Sequence, residues 1–374
     1  MADFGDYALC LSCGNKVSTA FQVGTLIALY ETNLLSQCRI LCASGQGCVV
    51  ASTLLRAWEK HSSGNFTYES WADLTTPSDS MCQDVKNEDE ELLCGETPFD
   101  RYVFTPLSKF LLSNQERDCA LKSVWDPHNA LGSVLSDYDL VPHTFPTSDC
   151  KFPMPIFALS TLQEHKDGCY ELSACTTKQD LPSITHGWHI PNFFNLDPTE
   201  NIANRVAQFM SPWHTQQNAE QSDPLALYTV EPLMQLSRTR NAKNGARMIV
   251  VDSYSNSAMF DKASPSLKIS TGDKISRINQ WTLDSSSKTE YTVVQGGFIQ
   301  CFDMSRLSSI DKKNEWKRFM IKLHTHVQLD ELPEDLFREA VCWGYASVYL
   351  QQQKQVSNFP LKSNMIADLL KTDA

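Results

Sequence analysis

The sequence predicts an α/β protein with a layered core around a mainly parallel sheet. Three observations carry the prediction. The first sixty residues alternate short apolar runs with stretches of helical periodicity, the order expected of strand-helix-strand-helix units. There is no internal repeat, and no stretch rich in Pro, Gly or Ser divides the chain. With 374 residues, 42% of them hydrophobic, the chain can also fill one large core. A single domain over residues 1–374 is expected, with residues 61–150 inserted in it as a cap after the second helix.

Ala8 to Ser12 reads as a buried strand, followed by a loop at Cys13-Gly14-Asn15-Lys16. From Ala20 to Leu35, apolar Val23, Leu26, Ile27, Tyr30 and Leu34 keep the spacing of one buried helical face. Arg39 to Cys42 is the second strand and Gln46 to Trp58 the second helix. From about His61 to Cys150 the pattern is irregular and more polar, and its acidic run Asn87-Glu88-Asp89-Glu90-Glu91 reads as a solvated loop. Phe152 to Leu162 and Cys169 to Cys175 are strands, antiparallel neighbours across the turn Lys166-Asp167-Gly168. Asn201 to Met210 and Pro224 to Leu236 read as helical or mixed. Arg247 to Asp252 is a compact buried strand, Tyr291 to Val294 is strand-like ahead of a glycine turn at Gly296-Gly297, Phe319 to Leu323 is a further apolar run, and Pro333 to Gln351 closes the pattern as a helix.

Charge narrows the partners. Lys and Arg number 32 against 44 Asp and Glu, a formal charge of -12 that disfavours nucleic acid and anionic membranes. The acidic start Met1-Ala2-Asp3-Phe4-Gly5-Asp6 lacks the basic character of a secretory signal, and no apolar run approaches the roughly 20 residues that span a bilayer. The 13 cysteines are odd in number and sit in apolar segments, as buried free thiols do in a reducing compartment. A cytoplasmic protein with no transmembrane segment is expected, and Asn65-Phe66-Thr67 is then a chance glycosylation match.

The run Cys42-Ala43-Ser44-Gly45-Gln46-Gly47-Cys48 has the build of a nucleophile elbow, a sharp strand-to-helix turn that projects a serine hydroxyl. Gly45 occupies the projecting position. Glycine suits a strained turn but carries no atom that can attack. Two alternative nucleophiles lie close by. Ser44, one residue early, reads better as a turn serine bonding its own backbone. Cys48, at the start of the helix where a thiol pKa can be lowered, reads better as a core cysteine. Other groupings are weaker. His186-Gly187-Trp188-His189 and His324-Thr325-His326 lack partner ligands at a usual spacing, Cys10-x-x-Cys13 has no second pair, and Gln295 cannot act as a base, so no metal and no cofactor is expected.

The residues together resemble the catalytic domain of the cytosolic, group IV phospholipases A2, in particular the gamma type without a C2 domain. Ser12-Cys13-Gly14-Asn15-Lys16-Val17-Ser18 through Glu31 is similar to the family's SGGGxRA loop and first helix. Ala43-Ser44-Gly45-Gln46-Gly47 is similar to its GxSGS segment. Pro153-Met154-Pro155-Ile156-Phe157, Tyr170-Glu171-Leu172-Ser173, Phe209-Met210-Ser211-Pro212-Trp213 and Arg247-Met248-Ile249-Val250-Val251-Asp252 resemble later stretches in the same order.

The resemblance implies a three-layer α/β/α fold of the patatin-like kind. It also implies a serine-aspartate dyad, a glycine-rich oxyanion loop and a phosphate-holding arginine for hydrolysis of phospholipid acyl esters. On this chain the nucleophile falls on Gly45 and the phosphate arginine on Val17. Two oxyanion-loop glycines fall on Cys13 and Asn15, leaving Gly14, and the dyad aspartate falls on Asp223, where the glycine expected shortly afterwards is missing. Loss of a nucleophile alone costs about 10⁶-fold in turnover, by analogy with other serine hydrolases. Valine, moreover, offers phosphate none of arginine's charge-assisted bonds. The expectation is a catalytically inactive relative serving as a scaffold, a self-associating structural or storage protein, or a regulator of an active relative, with no calcium requirement. The alternatives are an acyl hydrolase using Ser44 or Cys48, and a non-catalytic carrier with lipid in the residual cleft.

Overall fold

The computed structural model describes residues 7–11, 16–44, 46–77, 97–113, 127–144, 153–160, 169–173, 201–210, 247–252, 290–295 and 332–352. Its six strands are β1 (Tyr7–Leu11), β2 (Cys38–Ser44), β3 (Met154–Ser160), β4 (Cys169–Ser173), β5 (Arg247–Asp252) and β6 (Glu290–Gln295). They form one sheet in the order β4-β3-β2-β1-β5-β6, parallel throughout except for β4, which runs antiparallel beside β3 at one edge. Successive residues of a strand point to opposite faces. Leu9, Cys10 and Leu11 of β1 and Leu41, Cys42 and Ala43 of β2 are all buried, so the centre of the sheet is covered on both sides. This explains why these strands are continuous apolar runs without alternation.

Helix α1 (Lys16–Glu31) connects β1 to β2, and α2 (Gly47–Ser62) follows β2. In α1 every residue from Lys16 to Tyr30 is buried, including the polar Ser18, Thr19, Gln22 and Thr25. A helix enclosed on all sides carries no single apolar stripe. Its periodic part therefore marks Ala20 as the start, while the helix begins four residues earlier at Lys16.

The C-terminal helix of the described residues, α7 (Glu334–Gln352), lies across α1. Glycine permits the crossing. A Cβ on Gly24 would stand 1.9 Å from the carbonyl oxygen of Val341, and a Cβ on Gly344 1.9 Å from that of Phe21. The two backbones thus meet with no side chain between them. Tyr345 adds a polar tie by donating its hydroxyl to Glu31 Oε2 at 2.5 Å.

Residues 61–150, expected to be irregular, contain helices instead. Ser62 still belongs to α2, and α3 (Tyr68–Thr75), α4 (Thr105–Leu112) and α5 (Pro127–Asp137) follow, with one wider turn at Asp100–Phe104 leading directly into α4. Helix α6 (Ile202–Met210) lies beyond β4 in sequence and packs beside α5. Each inserted helix is short, and α3 begins in a reciprocal side-chain cap. At α3, the Ser70 amide donates to Thr67 Oγ1 and the Thr67 amide donates to Ser70 Oγ, both at 3.1 Å. Trp58 of α2 is the platform beneath, edge-on to Phe66 and Trp71 and donating its indole N–H to Ser70 Oγ at 2.7 Å.

Helices α1, α2 and α5 end alike, each in a left-handed residue that is not glycine: Asn33, Ser63 and Asp139. Asp139 tolerates that backbone better than most residues, and its carboxylate reaches back to α2. There Arg56 Nε donates to Asp139 Oδ1 at 2.7 Å, and Lys60 also pairs with Asp139. Glu59 completes the junction by accepting from the amides of His143 (2.9 Å) and Thr144 (2.7 Å), the Thr144 hydroxyl (2.8 Å) and Arg56. Burial by itself would raise the Glu59 pKa, but the bonds from His143, Thr144 and Arg56 outweigh it and hold the carboxyl below its usual range. For Asp139, burial is likewise outweighed by Lys60 and Arg56. Both groups therefore stabilise the fold above the ordinary carboxylate range, and that contribution is lost as pH falls through their lowered values.

The glycine crossing yields a test. In an open helix interior Gly→Ala gains up to about 1 kcal/mol, but at Gly24 the added methyl must force α7 off α1, an overpacking cost of roughly 1–3 kcal/mol or more. Urea unfolding of Gly24→Ala should show a lower midpoint than the parent protein. A raised midpoint would contradict the close approach of the two helices.

Candidate functional site

The edge that the sequence points to is built by three neighbouring parallel strands. Leu11 of β1 is in register with Ala43 of β2 on one side and Val251 of β5 on the other, so all three strands end at the same edge of the sheet. From β1 the chain steps to β2 and β3 in one direction, while β5 and β6 occupy the other side. Ligand crevices of parallel sheets lie outside the carboxyl ends of strands at such a reversal. Cys13, Gly14, Asn15, Gly45 and Asp223 lie outside the described residues. Leu11 and Lys16 bracket the first group, Ser44 and Gln46 flank Gly45, and the residues around Asp223 lie outside the described ones as well.

Val17 is in the first turn of α1, 3% exposed and part of the apolar core. The position matched to a phosphate-binding arginine therefore holds a packed aliphatic side chain. The adjacent cation is directed elsewhere: Lys16 Nζ donates to the Ser113 carbonyl at 3.0 Å and stands 5.7 Å from the Phe110 ring centre, at the end of α4.

Gln46 caps α2 immediately after Gly45. Its side-chain oxygen accepts from Thr19 Oγ1 at 2.9 Å, and both residues are buried. This bond ties the start of α1 to the start of α2. The two residues are 27 apart in sequence, and no local pattern marks them as partners.

Of the two alternative nucleophiles, Ser44 is the last residue of β2 and pairs with Ala158 of β3. Cys48 has no solvent exposure and belongs to the core. A thiol there cannot meet a substrate without the first turn of α2 opening. Cys10 and Cys42 face each other in register on β1 and β2 and are also buried. Burial pushes the Cys38 thiol up to about 12, despite bonds to the backbone of Leu9 and Ile40. Burial with the Glu339 charge pushes Cys342 up to about 11. Neither is a thiolate near neutral pH.

Asp252 ends β5 at this same edge and was not among the sequence candidates. Its signal is an acidic residue closing the apolar run Met248 to Val251. The His186–His189 and His324–His326 groups, the acidic run 87–91 and Gly296-Gly297 lie outside the described residues. Thr67 of the sequon is engaged as the cap of α3.

Among the described residues no group of three or more His, Cys, Asp or Glu side chains is gathered as metal ligands require, and no helix is long and apolar enough to cross a membrane. Comparison with protein-family models, curated proteins and solved structures found no match.

Placing a cation at position 17 tests the geometry. Val17→Arg would bury a charge without a partner, at a cost of at least about 3 kcal/mol. Its thermal midpoint should fall well below that of Val17→Ala. A Val17→Arg protein as stable as the parent would show that position 17 opens to solvent and could serve phosphate.

Proposed function

We propose that the chain is a catalytically inactive, phospholipase A2-like protein of three-layer α/β/α architecture. It acts in the cytoplasm as a structural, self-assembling or storage protein, or as a regulatory scaffold. The observation that carries the reading is Val17: the position matched to the phosphate-holding arginine is apolar and buried in the core. Gly45, at the position matched to the nucleophile, carries no attacking atom. The covered sheet centre and the order β3-β2-β1-β5 support the layered fold, and on this reading the remains of the site belong at the carboxyl ends of β1, β2 and β5.

A displaced nucleophile is the less favoured reading, because Cys48 is sealed in the core and Ser44 falls short of the turn. A lipid-carrying role needs a cleft at the same edge, and co-purifying lipid is its signature. Self-association, or a protein partner, is the remaining use for a fold of this size without chemistry.

The test is incubation with lysophospholipid and with phospholipid vesicles. No acyl release above buffer is expected. Gly45→Ser should not restore it, since the phosphate and oxyanion positions stay altered. Turnover by the parent chain that Asp223→Ala abolishes would overturn the reading.

A further inference from the structure

The segment that leaves α5, Asp139 to Thr144, is fastened to α2 by bonds radiating from two side chains. Arg56 divides its donors three ways: one to Glu59, Nε to Asp139 Oδ1 at 2.7 Å, and Nη2 to His143 Nε2 at 2.7 Å. A guanidinium only donates. His143 Nε2 must therefore accept, which requires a neutral imidazole with its proton on Nδ1. A second proton would remove the acceptor and set two cations against each other.

The charges around His143 balance without it. Arg56 and Lys60 from α2 are opposed by Glu59 on the same helix and Asp139 on the segment itself, two cations against two anions. The network is neutral only while His143 is neutral. Glu59 cannot readily take up an imidazolium N–H, because its oxygens already accept from Arg56, the two amides and the Thr144 hydroxyl. Thr144 carries no charge. Tyr102, in the wider turn ahead of α4, lies 5.8 Å under the Lys60 ammonium.

We propose that His143 and Arg56 form a pH-sensitive latch that holds the end of the inserted segment on α2 when the imidazole is neutral and releases it on acidification. Since the bound form is the neutral one, the latch is strongest on the alkaline side and weakens as pH falls. Histidine is the side chain that ordinarily changes charge between pH 5 and 8. Glu59 and Asp139 remain ionised across that window and add no titration of their own within it.

Amide hydrogen exchange of residues 137–144, corrected for intrinsic rates, tests the proposal at about pH 8 and about pH 5.5. Protection in the parent protein should fall about threefold to tenfold on acidification, the scale of one partly exposed bond to a charged group. Amides of α1 should keep theirs. In His143→Gln the side-chain oxygen can accept from Arg56 at either pH, so its protection should stay level. His143 is exposed, so this variant should fold. Constant protection in the parent protein, or an equal fall in His143→Gln, would overturn the latch.

Discussion

Helix α1 has no solvent face, and most of the structure follows from that constraint. Its sides are taken by α2 and α4, and by α7 lying backbone to backbone across Gly24 and Gly344. Enclosure decides what its side chains can be. Thr25 satisfies its hydroxyl within the helix by bonding the Phe21 carbonyl at 3.1 Å, and Thr19 finds Gln46. Val17, in the first turn of the helix, joins the apolar core. An arginine in this turn could not be satisfied in the same way, because burying its charge without a partner costs several kcal/mol.

The same enclosure governs what could be read from the amino-acid order alone. The strands were legible because β1, β2 and β5 are short apolar runs between polar segments, and the β3–β4 pairing because both runs flank a turn sequence. The start of α1 was not, since Lys16 and Ser18 are buried by tertiary packing and leave no polar-to-apolar boundary. Helices α3, α4 and α5 escaped detection for a different reason. They are eight, eight and eleven residues long, too short for periodicity to stand out. The signal that does mark α3, Thr67 with Ser70 three residues on, lacks the Glu or Gln of the usual capping pair.

The candidate site divides in the same manner. Gly45, which has no side-chain atom to attack with, and the apolar Val17 were legible as residue types. What the fold adds is placement: Leu11, Ala43 and Val251 stand side by side, and the Thr19–Gln46 bond joins the two helices that start there. A pairing across 27 residues has no local signature. The Arg56–Glu59 junction was equally hidden, because its partners come from the far end of the insertion, 83 to 87 residues away.

The proposed function requires that this edge of the sheet hold no working nucleophile. Labelling of the native protein with a fluorophosphonate probe, followed by peptide mapping, tests it most directly. No stoichiometric modification is expected at Ser44 or at any other serine. One serine modified to completion, with loss of that labelling on its replacement by alanine, would contradict it.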